Sequence, residues 1–207
     1  MKKDDQLELI KRIKSLSDTG LVYAQNGYET ERYEELRSIS LKLLGIVSNE
    51  PLSALNDFFI PPNDYPTPKV DIRGLALNNT KEILLVKEKT DGKWSLPGGW
   101  GDIGFTPAEV IKKEIFEETG LPSRVIRFLA IYDKKCHPHP PQPFYVYKLV
   151  FLCEILPGEI NTGFDIEEAR YFDIKRLPEL SEDRILKSQI EQLYQMAVNG
   201  DQTVYFD

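Results

Sequence analysis

The residues with the clearest chemical potential lie in one stretch, residues 98–121, which reads GGWGDIGFTPAEVIKKEIFEETGL. Its second half reads as a helix. Thr106 stands at the N-cap position, Pro107 fits the first helical position, Glu109 can reach back from N3, and Gly120 is placed to act as a left-handed C-cap. At about 100° per residue, Ala108, Ile111 and Ile115 form an apolar arc that should face a core. Glu114 and Glu118 stack on adjacent turns beside that arc, with Glu117 on their far side. Like charges at this spacing repel, and unpaired carboxylates at the rim of a core are expensive. Two readings compete. Either the glutamates form a solvated face, with Lys113 paired to Glu117 at i, i+4, or they hold a divalent cation of the Mg²⁺ kind, which takes oxygen ligands and keeps waters that substrate phosphates can replace. The loop in front favours the second reading. Gly98, Gly99, Gly101 and Gly104 give the backbone a freedom that is costly unless the chain must approach something closely or turn unusually.

The elements that would position this stretch change character along the chain. Leu9, Ile13 and Leu16 recur at helical spacing, Gly20 interrupts, and Tyr33, Leu36, Ile39, Leu43 and Val47 mark one face of a second helix; Pro51 restarts a short third segment. So small a helical unit cannot bury much by itself, so it must pack on the rest of the chain or on a second copy, and a dimerisation role is expected. The prolines of residues 61–68 mark a boundary, which gives a helical domain over residues 1–63 and a second domain over residues 64–207. From Lys69 the pattern turns β-like. KVDIRGLAL and EILLVKEK, separated by NNTK, predict a hairpin; RVIRFLAIYD, FYVYKLVFLCEI and ARYFDI are further strands, and DRILKSQIEQLYQMAVNG closes as an amphipathic helix. Strands and helices without a regular βαβ alternation predict an α+β fold or three-layer sandwich.

Composition narrows the function. A chain of 207 residues with net charge -7 and no basic stripe argues against a long nucleic acid as partner, so an anionic substrate would need local cations or a metal. No run approaches the roughly 20 apolar residues that cross a bilayer, and the first residues have no signal-peptide pattern, so no membrane association and a cytoplasmic location are expected. Cys153 reads as a small core residue. Cys136, His137 and His139 in CHPHP are too few and too crowded by prolines for a zinc site, and are expected to shape a substrate pocket.

The glycine loop and its helix together resemble the Nudix box, a glycine, five residues, a glutamate, seven residues, then Arg-Glu-apolar-x-Glu-Glu-x-Gly-apolar. Gly99, Glu114, Ile115, Glu117, Glu118, Gly120 and Leu121 match it in register. Phe105 stands where the family usually has glutamate, and Lys113 where it usually has arginine. That joint change loses arginine's bidentate fork, although a lysine stem can lie against the phenylalanine ring. RIKSLSDTGLVYA followed by YETERYEELRSIS, then PTPKVDIRG and DGKWSLPGGW, extend the resemblance to the Nudix subgroup with an N-terminal helical domain, which includes CDP-choline and ADP-ribose pyrophosphatases. The resemblance implies a Nudix α/β/α sandwich with a mixed sheet, a homodimer, and hydrolysis of a nucleoside diphosphate linked to another moiety. Hydrolysis of RNA ends or nucleoside triphosphates, and a nucleotide sensor without turnover, are the alternatives.

On that resemblance, Glu114 and Glu118 are primary ligands of Mg²⁺ or Mn²⁺, Glu117 is a third ligand or the base, and a carbonyl of Gly98 or Gly99 completes the set. A loop beyond the box often supplies the general base in this family, and GFDIEEARYF offers Asp165, Glu167 and Glu168. Arg73 and Lys87, in strands expected to flank the site, are candidate phosphate contacts, with His137 and His139 as further substrate contacts. Trp94, Trp100, Phe144 and Tyr145 are candidate stacking surfaces for a base.

Overall fold

The computed structural model describes residues 3–48, 65–102 and 104–207. The expected third helical segment at Pro51 and the boundary between residues 63 and 64 lie outside these residues. Proximity along the backbone divides the chain into two units, Met1–Pro68 with Pro141–Tyr145, and Lys69–Pro140 with Val146–Asp207.

The first unit holds α1 (Lys3–Tyr23) and α2 (Gly27–Ser48), joined by a tight turn in which the Asn26 side chain caps α2 by accepting from the Glu29 amide at 3.0 Å. They run antiparallel, because Leu7 and Ile10 near the start of α1 pack with Leu44 and Val47 near the end of α2. Gly20 does not interrupt α1. A Cβ there would lie 2.3 Å from the Tyr33 ring, so glycine is the residue that lets α2 come this close. The buried stripe of α1 is Leu7, Ile10, Lys11, Lys14, Ser17 and Asp18, offset from the stripe the apolar spacing predicts. Its charges are matched locally. Lys11 pairs with Glu8 at 2.8 Å, Lys14 pairs with Asp18, and Arg37 of α2 reaches Asp18 at 3.1 Å. Leu9, Ile13 and Leu16, and Leu36, Ile39 and Leu43 of α2, remain exposed.

The second unit is a mixed sheet and a smaller antiparallel sheet flanked by helices. The larger has the order β4-β1-β6-β5-β8, from β1 (Lys69–Ala76), β4 (Gly98–Trp100), β5 (Ser123–Asp133), β6 (Val146–Ile155) and β8 (Tyr205–Phe206). β1 runs parallel to β6 and antiparallel to β4; the smaller sheet is β3 (Trp94–Ser95), β2 (Ile83–Glu88) and β7 (Ile166–Phe172). The predicted hairpin is therefore wrong in its pairing. The NNTK turn forms, with Asn78 Oδ1 accepting from the amides of Thr80 at 3.0 Å and Glu82 at 2.8 Å, but beyond the single bridge Leu77–Ile83 the two strands diverge into different sheets. β3, β4 and β8 are two or three residues long, too short for a periodic signal.

Alternation along β1 builds the layers. Ile72 and Ala76 pack with Val110, Ile111 and Ile115 of α3 (Pro107–Thr119), while Leu75 packs with Ile83, Leu85 and Tyr132 and with Ile190, Leu193 and Met196 of α4 (Lys187–Val198). Each buried aliphatic side chain contributes about 1.5–3 kcal/mol of burial energy. Gly74 leaves room for the Ile111 side chain, whose atoms would lie 3.0 Å from a Cβ there. Ala108 is only partly buried, and Val110 and Thr119 complete the inward face instead. Cys153 is buried in this core, as expected.

Candidate active site

α3 begins and ends as its sequence dictates. Thr106 Oγ1 accepts from the Glu109 amide at 3.3 Å, the Glu109 carboxylate accepts from the Thr106 amide at 2.8 Å, and Gly120 closes the helix at φ 73°. The helix thereby has a fixed start relative to the glycine loop, which enters along β1 with Gly98 opposite Arg73 and Gly99 opposite Ile72. Gly98 adopts φ 141°, and a Cβ on it would lie 2.0 Å from the Ile72 carbonyl oxygen. A Cβ on Gly99 would lie 2.9–3.0 Å from the carboxylate atoms of Glu114. Glycine at 99 lets the main chain lie against the Glu114 carboxylate, and glycine at 98 lets it pass close to the β1 main chain.

The contact is specific. The Gly98 amide donates to Glu118 Oε2 at 2.9 Å, and the Glu114 carboxylate lies against Gly99. Burial pushes the Glu118 pKa up to about 8, with Glu88 and Glu114 adding to the shift and Arg73 and the Gly98 amide opposing it. Burial, then Glu117, also raises Glu114. Glu117 is exposed and lies 3.7 Å from Lys113, its neighbour at i, i+4. The structure thus brings together Glu114, Glu118, Gly98 and Gly99 and leaves Glu117 at the edge. Among the described residues no three His, Cys, Asp or Glu side chains are already gathered in a metal-holding group.

The other candidates are placed less simply. Arg73 is buried rather than free; its Nε donates to Asp71 at 2.8 Å and its Nη1 to the Leu96 carbonyl at 3.1 Å. Burial opposes its charge, but Asp71, Glu118 and Glu88 outweigh burial and raise its pKa. Lys87 Nζ pairs with Glu167 at 2.9 Å, and Arg170 lies 3.5 Å from Glu168. The loop before these two acids docks on the end of α3. The Asn161 amide donates to the Thr119 carbonyl at 2.8 Å, and a Cβ on Gly163 would lie 2.0 Å from the Glu117 carbonyl oxygen. His137 Nε2 lies 2.9 Å from Asp207, and His139 Nδ1 donates to the Glu182 carbonyl at 2.6 Å, with burial pushing its pKa down to about 4. Trp94 is core, edge-on to Phe172, whereas Trp100 is exposed.

Sequence reasoning missed a buried charge network behind the site. Lys148 is fully buried and pairs with Asp71, which also holds Arg73. Lys134, beside them, has its pKa pushed down to about 8 by burial and by Lys148. The signal was present as charges inside apolar strands, Asp71 and Arg73 two apart in KVDIRGLAL and Lys148 in VYKLVFL.

The arrangement of a glycine strand, a capped helix and paired carboxylates falls within the segment 67–193, which matches the NUDIX domain. The chain belongs to the Nudix family. Residues 4–59 of this Nudix hydrolase match a UDP-X-like, N-terminal oligomerisation domain. YjhB from Bacillus subtilis (strain 168), named as a candidate ADP-ribose pyrophosphatase, is 39% identical over 201 residues, 97% of this chain and 96% of the relative. An ADP-ribose pyrophosphatase from Methanocaldococcus jannaschii is 36% identical over 58% of this chain and 70% of its own length. The crystal structure of a UDP-X diphosphatase superposes with a TM-score of 0.64 at 36% identity, covering 100% of both chains. The chain is accordingly a Nudix-type pyrophosphatase, similar to proteins named as an ADP-ribose pyrophosphatase and a UDP-X diphosphatase. Among the described residues no helix is long and apolar enough to cross a membrane.

Proposed function

We propose that this Nudix hydrolase cleaves, with Mg²⁺ or Mn²⁺, the pyrophosphate bond of a nucleoside diphosphate linked to another moiety, releasing a nucleoside monophosphate and a phosphorylated product. ADP-ribose leads the substrate classes, followed by UDP-linked compounds and CDP-choline, in line with what the relatives' names say of those proteins. The observation that carries the reading is the meeting of Glu114 and Glu118 with Gly99 and Gly98. Burial makes the charged form of Glu118 costly without a cation, and a cation held between the two carboxylates would offset that cost.

Glu114 and Glu118 would hold the ion, with a Gly99 carbonyl completing the set. The ion would supply charge neutralisation on the phosphates and a more acidic water. In the reaction, water oxygen forms a bond to one phosphorus, the bridging P–O bond breaks, and the water proton passes to a carboxylate. Glu117, Glu167 and Glu168 are the candidates for that proton. The docking of the loop at 161–163 on the end of α3 supports a role for the last two. Behind them, Arg73 acts on Glu118 through its charge and is itself held by Asp71 and Leu96, so it orients the site rather than gripping phosphate. His137 and His139 remain candidates for the rim of the substrate pocket.

The N-terminal domain, residues 1–63, would dimerise the chain and leave residues 64–207 to carry the chemistry. The exposed apolar residues Leu9, Ile13 and Leu16 of α1 and Leu36, Ile39 and Leu43 of α2 support this, as does the match to an oligomerisation domain. The free thiols Cys136 and Cys153 support a cytoplasmic setting. The test is product analysis with Mg²⁺ or Mn²⁺ and a substrate panel. A nucleoside monophosphate from a diphosphate-linked compound supports the reading, and turnover unaffected by chelation refutes its metal dependence.

A further inference from the structure

Lys113 occupies a position that the chemistry above does not use. Its Nζ lies 3.0 Å from Asp102 of the glycine loop and 3.7 Å from Glu117 on its own helix, and stands over the Phe105 ring at 5.7 Å from the centroid. One ammonium therefore ties the loop to α3, with an aromatic ring beneath it. One residue before Asp102, the Gly101 amide donates to the Val70 carbonyl at 2.7 Å, which ties the same part of the loop to β1. Gly99, which lies against Glu114 with no slack, precedes Gly101 and Asp102 by two and three residues on the same loop. Lys113 and Asp102 also both act electrostatically on Glu114.

We propose that Asp102 and Lys113 form a clamp over Phe105 that fixes the glycine loop against α3, making Asp102 a positioning residue for the reaction at Glu114 and Glu118. Asp102 supplies the anion that residue 105 does not carry. The Phe105 side chain starts on the same loop and ends beneath the same ammonium, so a carboxylate placed there would reach Lys113 from the other side. This inference rests on the reading of Glu114 and Glu118 as the reactive site.

The test compares Asp102→Ala, the double variant Asp102→Ala/Phe105→Glu, and Glu118→Gln. The readouts are kcat and KM for ADP-ribose, Mn²⁺ binding by calorimetry without substrate, and thermal melting. Loss of an exposed charged pair should lower kcat of Asp102→Ala roughly twofold to fivefold, with a similar weakening of Mn²⁺ binding and little change in KM. The double variant should recover most of both losses. Wild-type kcat and Mn²⁺ binding in Asp102→Ala would overturn the clamp, as would losses that Phe105→Glu leaves unrepaired or that follow only a drop in melting temperature. Glu118→Gln separates the two levels: turnover retained in that variant refutes the site reading, whereas its loss beside an unaffected Asp102→Ala refutes the clamp alone.

Discussion

Glu118 makes the metal-free protein pH-sensitive in a way that can be worked out. Its pKa is about 8 in the folded chain against an ordinary value of 4.5, so between these values the folded chain keeps a proton that the unfolded chain has lost. Its stabilising contribution is fully present below the ordinary value and disappears as pH rises through about 8. From pH ~6.5 to ~8 this single group should remove roughly 1.5 kcal/mol of stability, at 1.36 kcal/mol per unit less the rounding near the midpoint. His139, pushed down to about 4, acts below that window, and Lys134, at about 8, acts mainly above it. The assay is urea unfolding of the chelated wild type and Glu118→Gln at each pH. The wild type should lose stability relative to the variant as pH rises, and added Mn²⁺ should abolish the difference by favouring the carboxylate. An identical pH dependence in wild type and Glu118→Gln would refute the reasoning.

Further expectations follow from other contacts. Gly98→Ala places a Cβ 2.0 Å from the Ile72 carbonyl oxygen at φ 141°, and should cost roughly 2–3 kcal/mol, read as a fall in melting temperature. Lys148→Met leaves the buried Asp71 with Arg73 alone and should destabilise by about 3 kcal/mol in urea titrations; an unchanged midpoint would show that Arg73 suffices. Leu36→Glu with Ile39→Glu should convert a dimer to a monomer by light scattering, and a dimer mass retained in this variant would exclude that face as the interface.

How far the sequence could be read depended on how local the determinants were. The caps of α3 lie within the helix and its flanks, and Thr106, Pro107, Glu109 and Gly120 all act as their types suggest. The hairpin between β1 and β2 failed because a turn specifies a reversal but not the partner: β1 finds β6, whose paired residues Asp71 and Lys148 are 77 positions apart. In α1 the apolar spacing selected Leu9, Ile13 and Leu16, while burial selected a face carrying Lys11, Lys14 and Asp18, whose charges pair with one another and with α2. At the site, the carboxylates and glycines were legible because their spacing encodes the contact. Arg73 was visible only as a lone cation, since Asp71 and Leu96 meet it through the fold.

The most direct test of the proposed site is product analysis of the purified chain with Mg²⁺ or Mn²⁺ and ADP-ribose, nucleotide sugars, CDP-choline and nucleoside triphosphates, with Glu114→Gln and Glu118→Gln in parallel. A diphosphate-linked substrate should yield a nucleoside monophosphate, and each substitution should lower kcat on the order of 100-fold or more while the chain stays folded. Full turnover in either folded variant would contradict the assignment of the chemistry to these two carboxylates.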